Sequence, residues 1–236
     1  MRRVVFFLFL PLILLLGFAA VLSAQAAEQP EADTSPRAVE DRYIAESDSW
    51  RLSLMEYIFK GDAGKYAETE GAMRQFTPAV VSYVAYKRPG ERLAQSLYYR
   101  NLENIAKITQ LKQTMEEMQR TYPEYTKDFF AKYTVTIEEF GSFENFSPAY
   151  DRLMSRWRGE FEAAMQKKDA NALALLREDM QILRQGVTVF VLLPGKSASK
   201  VPQLQTMAGN LKHSILMLRM YERTTQEESS SAANPG

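Results

Sequence analysis

The chain contains no cysteine. That excludes disulfides, thiolate nucleophiles, thiolate-bound zinc, covalently attached haem and lipid attachment through a cysteine. There is a single histidine, His213, in 236 residues. Its sequence neighbours are Lys212 and Ser214, and the nearest carboxylate, Glu222, lies nine residues on. A serine triad would have to be assembled from separate helices, and no strand–turn–helix elbow is present to hold its nucleophile. The Glu-x-x-His pairs of di-iron bundles and the spacing of histidine zinc sites are absent too. Some acidic residues fall in neighbouring pairs, such as Glu116-Glu117, Glu138-Glu139 and Glu178-Asp179. Adjacent carboxylates point apart on a helix, so these read as solvated faces. Methionines Met207, Met217 and Met220 stand near His213 as haem-ligand types, but methionine at helical spacing fills cores. We expect no catalytic residue, no metal and no cofactor.

Net charge is also lacking: 29 basic residues balance 29 acidic ones. Such a chain has neither the basic face of a nucleic-acid binder nor a polybasic membrane patch.

What is present begins with the first 26 residues. Arg2 and Arg3 precede an almost wholly apolar run from Val4 to Leu22, and Ala24 and Ala26 follow in an A-x-A arrangement. This pattern predicts a secretory signal peptide cut after Ala26, leaving about 210 residues. The small-residue site points to a bacterial periplasm, with secretion elsewhere as the other exported destination. An uncut run would anchor the chain in the inner membrane, since roughly 20 apolar residues span a bilayer. Once the signal is removed, no membrane association is expected. Loss of Arg2 and Arg3 leaves 27 basic against 29 acidic residues, a net charge near −2.

After a polar leader over 27–35, nearly every segment has helical period. The fold class predicted is all-α. Val39, Tyr43, Trp50, Leu54 and Ile58 mark a first helix to Lys60, ended by Gly61, with Asp62 capping the second. Pro78 predicts a break in that second helix. A third, from about Pro89 to Thr121, carries Ile108, Leu111, Met115, Met118 and Tyr122 at spacings of 3, 4, 3 and 4, extended backwards by Leu97, Leu102 and Ile105. That stripe is a seam for packing against other helices. Residues 122–146 concentrate aromatics and read as a connector packed onto the bundle. Ser147-Pro148 predicts a new helix start, Asp169 a further cap, and Pro194-Gly195 a turn. The last ten residues, 227–236, read as a disordered tail.

The two halves match each other. A shift of 107 residues aligns Tyr43 with Tyr150, Trp50 with Trp157, Arg51 with Arg158, Lys60 with Lys167, and Asp62-Ala63 with Asp169-Ala170. These are six identities in the 21 positions from Tyr43 to Ala63, where chance pairing gives roughly one or two. Arg74-Gln75 recurs as Arg184-Gln185, and Asn101-Leu102 as Asn210-Leu211. The organisation predicted is therefore an internal duplication: two tandem three-helix units, 36–121 and 147–226, joined by the connector.

Candidate binding residues follow from that symmetry. Trp50 and Trp157 are placed to wall a pocket between the units. Asn101 and Asn210, on or near apolar faces, need hydrogen-bond partners and are placed to find them in each other. Tyr83, Tyr86 and Tyr98 cluster about the first Pro-Gly turn as a sticky rim. The arginine of each Arg-Gln pair is able to hold a carboxylate. The function expected is a non-enzymatic exported module for protein interaction or scaffolding, with a protein partner or self-association and no nucleic acid. The alternative is a protein that binds or senses a small apolar molecule in a pocket of roughly 300 Å³ or more at the junction. An enzyme would require His213 in a cleft beside an acid or hydroxyl.

Overall fold

The structure, a computed structural model, describes residues 36–86, 92–121 and 129–233; the side chains of 36, 80, 82–86, 92–96, 98 and 228–233 lie outside that description. The expected signal peptide and leader, the Pro89-Gly90 turn and residues 122–128 fall outside it as well. The described residues form seven α-helices and two short 3-10 helices, with no strand. The all-α prediction holds.

In chain order the helices are α1 (Pro36–Lys60), α2 (Ala63–Tyr86), α3 (Arg92–Thr121), α4 (Phe129–Tyr133), α5 (Phe143–Lys167), α6 (Ala170–Leu192) and α7 (Val201–Ala233). A 3-10 turn at Ile137–Gly141 precedes α5, and a second at Gly195–Lys200 precedes α7. The local signals act where they stand. Gly61 takes a positive φ of 73° and ends α1, with its N–H on the Tyr57 carbonyl at 3.0 Å. Asp62 accepts from the N–H groups of Gly64 and Lys65 at 3.0 and 3.2 Å. Asp169 caps α6 by accepting from Ala172 N–H at 2.9 Å.

Four details differ from expectation. Pro78 does not break α2, which runs through it; Pro78 and Arg74 are both exposed, so the carbonyl left without an N–H partner lies on the solvent side. α5 starts at Phe143, not at Pro148, because the Ser142 hydroxyl already accepts from Asn145 N–H. α7 continues to Ala233, through residues read as tail. In α3, Leu102 is exposed, and Asn101 and Asn104 take its place on the buried face.

α1 is the central helix. It packs on α2, on α6 and on both 3-10 turns, while α2–α3 and α6–α7 form antiparallel hairpins. Leu54, Met55 and Ile58 of α1, Ile108 and Met115 of α3, and Leu183, Val187 and Phe190 of α6 meet in one core without solvent exposure. The apolar stripe of α3 is thus spent inside the monomer: Ile105, Leu111 and Met118 are buried as well.

The aromatic segment enters the core instead of covering it. Phe59 of α1 contacts Phe129, Phe130 and Phe140 at centroid distances of 5.0, 4.9 and 5.2 Å. Phe140 meets Phe146 at 4.8 Å, and Phe146 meets Phe190 at 5.6 Å. The chain of rings joins α1 to α6 through the connector. Gly186 permits this: a Cβ there would lie 3.0–3.3 Å from carbons of the Phe59 and Phe140 rings.

One buried cation closes the core. Arg51 has no solvent exposure. Its Nε–H donates to the Phe140 carbonyl at 2.8 Å and its Nη1 to the Leu193 carbonyl at 2.7 Å. Nη2 donates to the Gly141 carbonyl and to Asp48 Oδ1, and the guanidinium lies 4.3 Å from the centre of the Phe190 ring. Burial lowers its proton affinity, opposed by Asp48; arginine stays charged nonetheless. Five N–H groups in a planar fork serve carbonyls at the ends of two helical elements, which a lysine is unable to match. Arg158, its counterpart in the second half, is exposed.

Gly195 belongs to the same clamp. Its φ is +52°, and a Cβ there would collide with the Asp48 carboxylate that holds Arg51. Gly195→Ala is expected to cost about 2 kcal/mol, a fall of several degrees in melting temperature. An unchanged thermal melt would show that the turn relaxes without disturbing Asp48.

Among the described residues no helix is long and apolar enough to cross a membrane.

Candidate binding trough between α3 and α6

The two tryptophans do not share a site. Trp50 is buried between Tyr43 and Phe76, with centroid distances of 5.9 and 5.7 Å, and its indole N–H has no partner among the described residues. Trp157 is buried too, stacks on Phe161 at 5.5 Å and donates to the Leu176 carbonyl at 3.3 Å. Neither lines any of the hollows described below. Asn101 is fully buried and donates to the Met73 carbonyl and Thr77 Oγ1 at 3.3 and 3.4 Å. Asn210 is exposed, so the expected pairing of the two amides does not form. The register explains it: the buried line of α7 runs Leu204, Leu211, Ile215, Leu218, and residue 210 stands about 100° away from residue 211. Tyr83 and Tyr86 lie in the last turns of α2 and Tyr98 near the start of α3, with side chains outside the described residues. His213 is exposed on α7.

The structure instead opens a trough along α3. One hollow of about 380 Å³ lies between α3, the end of α6, the second 3-10 turn and the start of α7. A second, of about 430 Å³, continues it between α3 and α6, and the two share Lys107 and Leu192. Val191, Leu192 and Val201 contribute apolar surface, and Gln110, Gln181, Gln185 and Gln205 contribute amides. Arg100, Lys107 and Arg184 supply positive charge. No carboxylate and no aromatic ring lines either hollow, among the described residues. Two other hollows each include acidic side chains, Glu56 with Glu138 in one and Glu116 with Glu117 in the other.

The chain fixes this geometry from beneath. Asn104, buried on α3, donates to Tyr43 Oη at 3.2 Å and to the Leu192 carbonyl at 2.9 Å, tying α3 to α1 and to the end of α6. Burial raises the Tyr43 pKa, partly offset by the Asn104 hydrogen bond and by Arg100. Arg51 holds the next carbonyl, that of Leu193. Lys107 is ion-paired with Glu103 of its own helix. Arg100 and Arg184 have no ion pair among the described residues, whereas Arg74, the counterpart of Arg184, pairs with Glu70 at 2.6 Å. Two unpaired guanidinium groups over an apolar floor are suited to carboxylate recognition.

Of these residues, Arg184 and Gln185 stand out in the sequence through the recurring Arg-Gln pair; Arg100, Asn104 and Lys107 do not. A further signal is the stretch from Gly195 to Tyr221, which carries Lys196, Lys200, Lys212 and Arg219 and no acidic residue. Part of it, through Ala198, Val201 and Gln205, walls the trough.

A second charged cluster is structural in its surroundings. Asp179 of α6 is buried and receives Lys132 and the Tyr133 hydroxyl of α4; Lys132 also meets Glu160 of α5 at 3.0 Å. Burial raises the Asp179 pKa, and Lys132 and Tyr133 oppose that rise. The Tyr133 hydroxyl is pushed well above its ordinary range by burial and by Asp179. Arg177 binds Glu178 and Glu222 at 2.8 and 2.6 Å, fastening α6 to α7.

No known protein family, curated protein or solved structure matches this chain.

Proposed function

We propose that this is a non-enzymatic exported helical protein that works by engaging a protein partner in the trough between α3 and α6. The observation that carries the reading is the composition of the trough walls: Arg100 and Arg184 have no ion pair among the described residues, Lys107 is held by Glu103, and no carboxylate is among the lining side chains, in a chain otherwise balanced in charge. A trough with two guanidinium groups outside any ion pair and an apolar floor favours an acidic partner and speeds its approach. The amino-terminal apolar run and its A-x-A residues support export to a periplasm. The exposure of His213 and the engagement of Asp179 by its own neighbours support a role without catalysis. Helices of 25, 24 and 30 residues followed by helices of 25, 23 and 33 in the same order support descent from a duplicated unit.

A photo-crosslinking residue at Gln110, on the trough wall, tests the reading in the cells that make the protein. We expect one crosslinked species of higher mass, reduced at least tenfold by R100E with R184E. Arg100 is exposed and Arg184 half-buried, and neither has an ion pair among the described residues, so the double variant is expected to stay within about 1 kcal/mol of wild-type stability. Absence of any crosslink, or one indifferent to the two substitutions, would overturn the proposal.

A further inference from the structure

We infer that the occupant of the trough is an extended acidic peptide segment carrying carboxylates at every third residue. This rests on the reading of the trough as a partner site and adds the chemistry of what it takes.

The walls define the chemistry. Arg100 and Arg184 have no ion pair among the described residues, and a guanidinium matches carboxylate geometry through two parallel N–H bonds. Lys107, held by Glu103, keeps further N–H bonds to offer from its ammonium. The amides of Gln110 and Gln185 each present a donor and an acceptor, and Gln181, whose Nε2 donates to Glu178 at 2.7 Å, keeps its carbonyl oxygen, which suits the unpaired N–H and C=O groups of an extended backbone. The absence of aromatic rings along the walls removes the stacking platforms that bases require.

The helix sets the spacing. Arg100 and Lys107 stand seven residues apart on α3, about 10 Å along its axis and nearly on one face. In a polyproline-II segment, residues i and i+3 point the same way and lie about 9 Å apart. A β-strand instead brings same-side residues to about 7 or 13 Å, and neither matches. The trough runs along α3 from Arg100 to Thr114, roughly 20 Å, which is a length of six or seven extended residues. Val191, Leu192 and Val201 give such a segment an apolar floor for proline rings or alkyl side chains.

The test measures fluorescence anisotropy of a labelled nine-residue peptide, Pro-Pro-Glu three times over, against the purified protein at 50 mM salt. Two comparison peptides replace every glutamate by glutamine, or gather the three glutamates together between prolines. We expect saturable binding of the first, at least tenfold weaker binding of the glutamine form and at least fivefold weaker binding of the gathered form. R100Q with R184Q is expected to remove the signal while leaving the thermal melt unchanged. Equal binding of the spaced and gathered peptides, or equal displacement by polyphosphate, would reduce the trough to a general anion site and overturn the inference. No binding of the spaced peptide would overturn it as well. The crosslink from Gln110 separates the two levels: a crosslink that depends on Arg100 and Arg184 without peptide binding sinks only the spacing and chemistry inferred here, whereas loss of that crosslink sinks the partner reading itself.

Discussion

Replacing Arg51 by methionine is expected to lower the stability of the protein by at least about 4 kcal/mol. Methionine keeps most of the volume and removes the donors. The carbonyls of Phe140, Gly141 and Leu193 would then be buried without those partners, and Asp48 would lose its cation. Each hydrogen bond to a charged donor is worth about 1.5–3 kcal/mol, and breaking a buried charged cluster from one side about 3–5 kcal/mol. Against a total stability of about 5–15 kcal/mol, this is the largest single-residue effect the structure predicts. Lysine at position 51 keeps the charge but not the fork, and should recover less than half of the loss. The corresponding change at exposed Arg158 should stay within about 0.5 kcal/mol. Urea unfolding followed by circular dichroism measures all three. A methionine variant with the wild-type midpoint would mean that the three carbonyls find other donors and that Arg51 does not clamp the core.

The second large effect depends on pH. In K132M, Asp179 would keep the Tyr133 hydroxyl but lose its cation while buried. At pH 7.5 the variant is expected to be about 2–3 kcal/mol less stable than wild type, a figure reduced because Lys132 is partly open to solvent. Burial already raises the Asp179 pKa in the folded protein, and removing Lys132 raises it further. A carboxyl that holds its proton more tightly folded than unfolded lends stability at low pH, in full below the ordinary aspartate value near 3.9, and loses it as pH rises through the folded value. The deficit of K132M should therefore shrink as pH falls from 7.5 to 5. Urea midpoints at the two values decide it; a deficit that is constant or grows towards pH 5 would show that Asp179 is not the group responsible.

The elements that local chemistry specifies were legible in the sequence. Gly61, Asp62 and Asp169 mark helix ends because their effect needs only the next few residues, and the stripe from Ile105 to Met118 marks a buried face because period alone determines it. The candidate site was less legible. Matched positions in the two halves suggested that Trp50 and Trp157, or Asn101 and Asn210, would act as pairs, yet equal residues sit in unequal surroundings. Asn101 meets the α2 backbone while Asn210 faces solvent; Arg51 is enclosed by elements that Arg158 lacks. The trough arises from α3 and α6, whose lining residues lie some 70–100 positions apart, so no local pattern announces it. Pro78 failed as a breaker because its cost depends on whether the orphaned carbonyl meets water, which only the tertiary arrangement decides.

Arg51 also sets the order in which this chain can become itself. Its guanidinium waits for a carbonyl 142 residues further along. At about 5–20 residues per second, ribosomes supply that partner roughly 7–30 s after Arg51 is made. Until then the three leading helices hold a cation that has nowhere to be buried, and their final packing is postponed. The last closure of the core around α1 therefore comes late in synthesis, once Leu193 has been made.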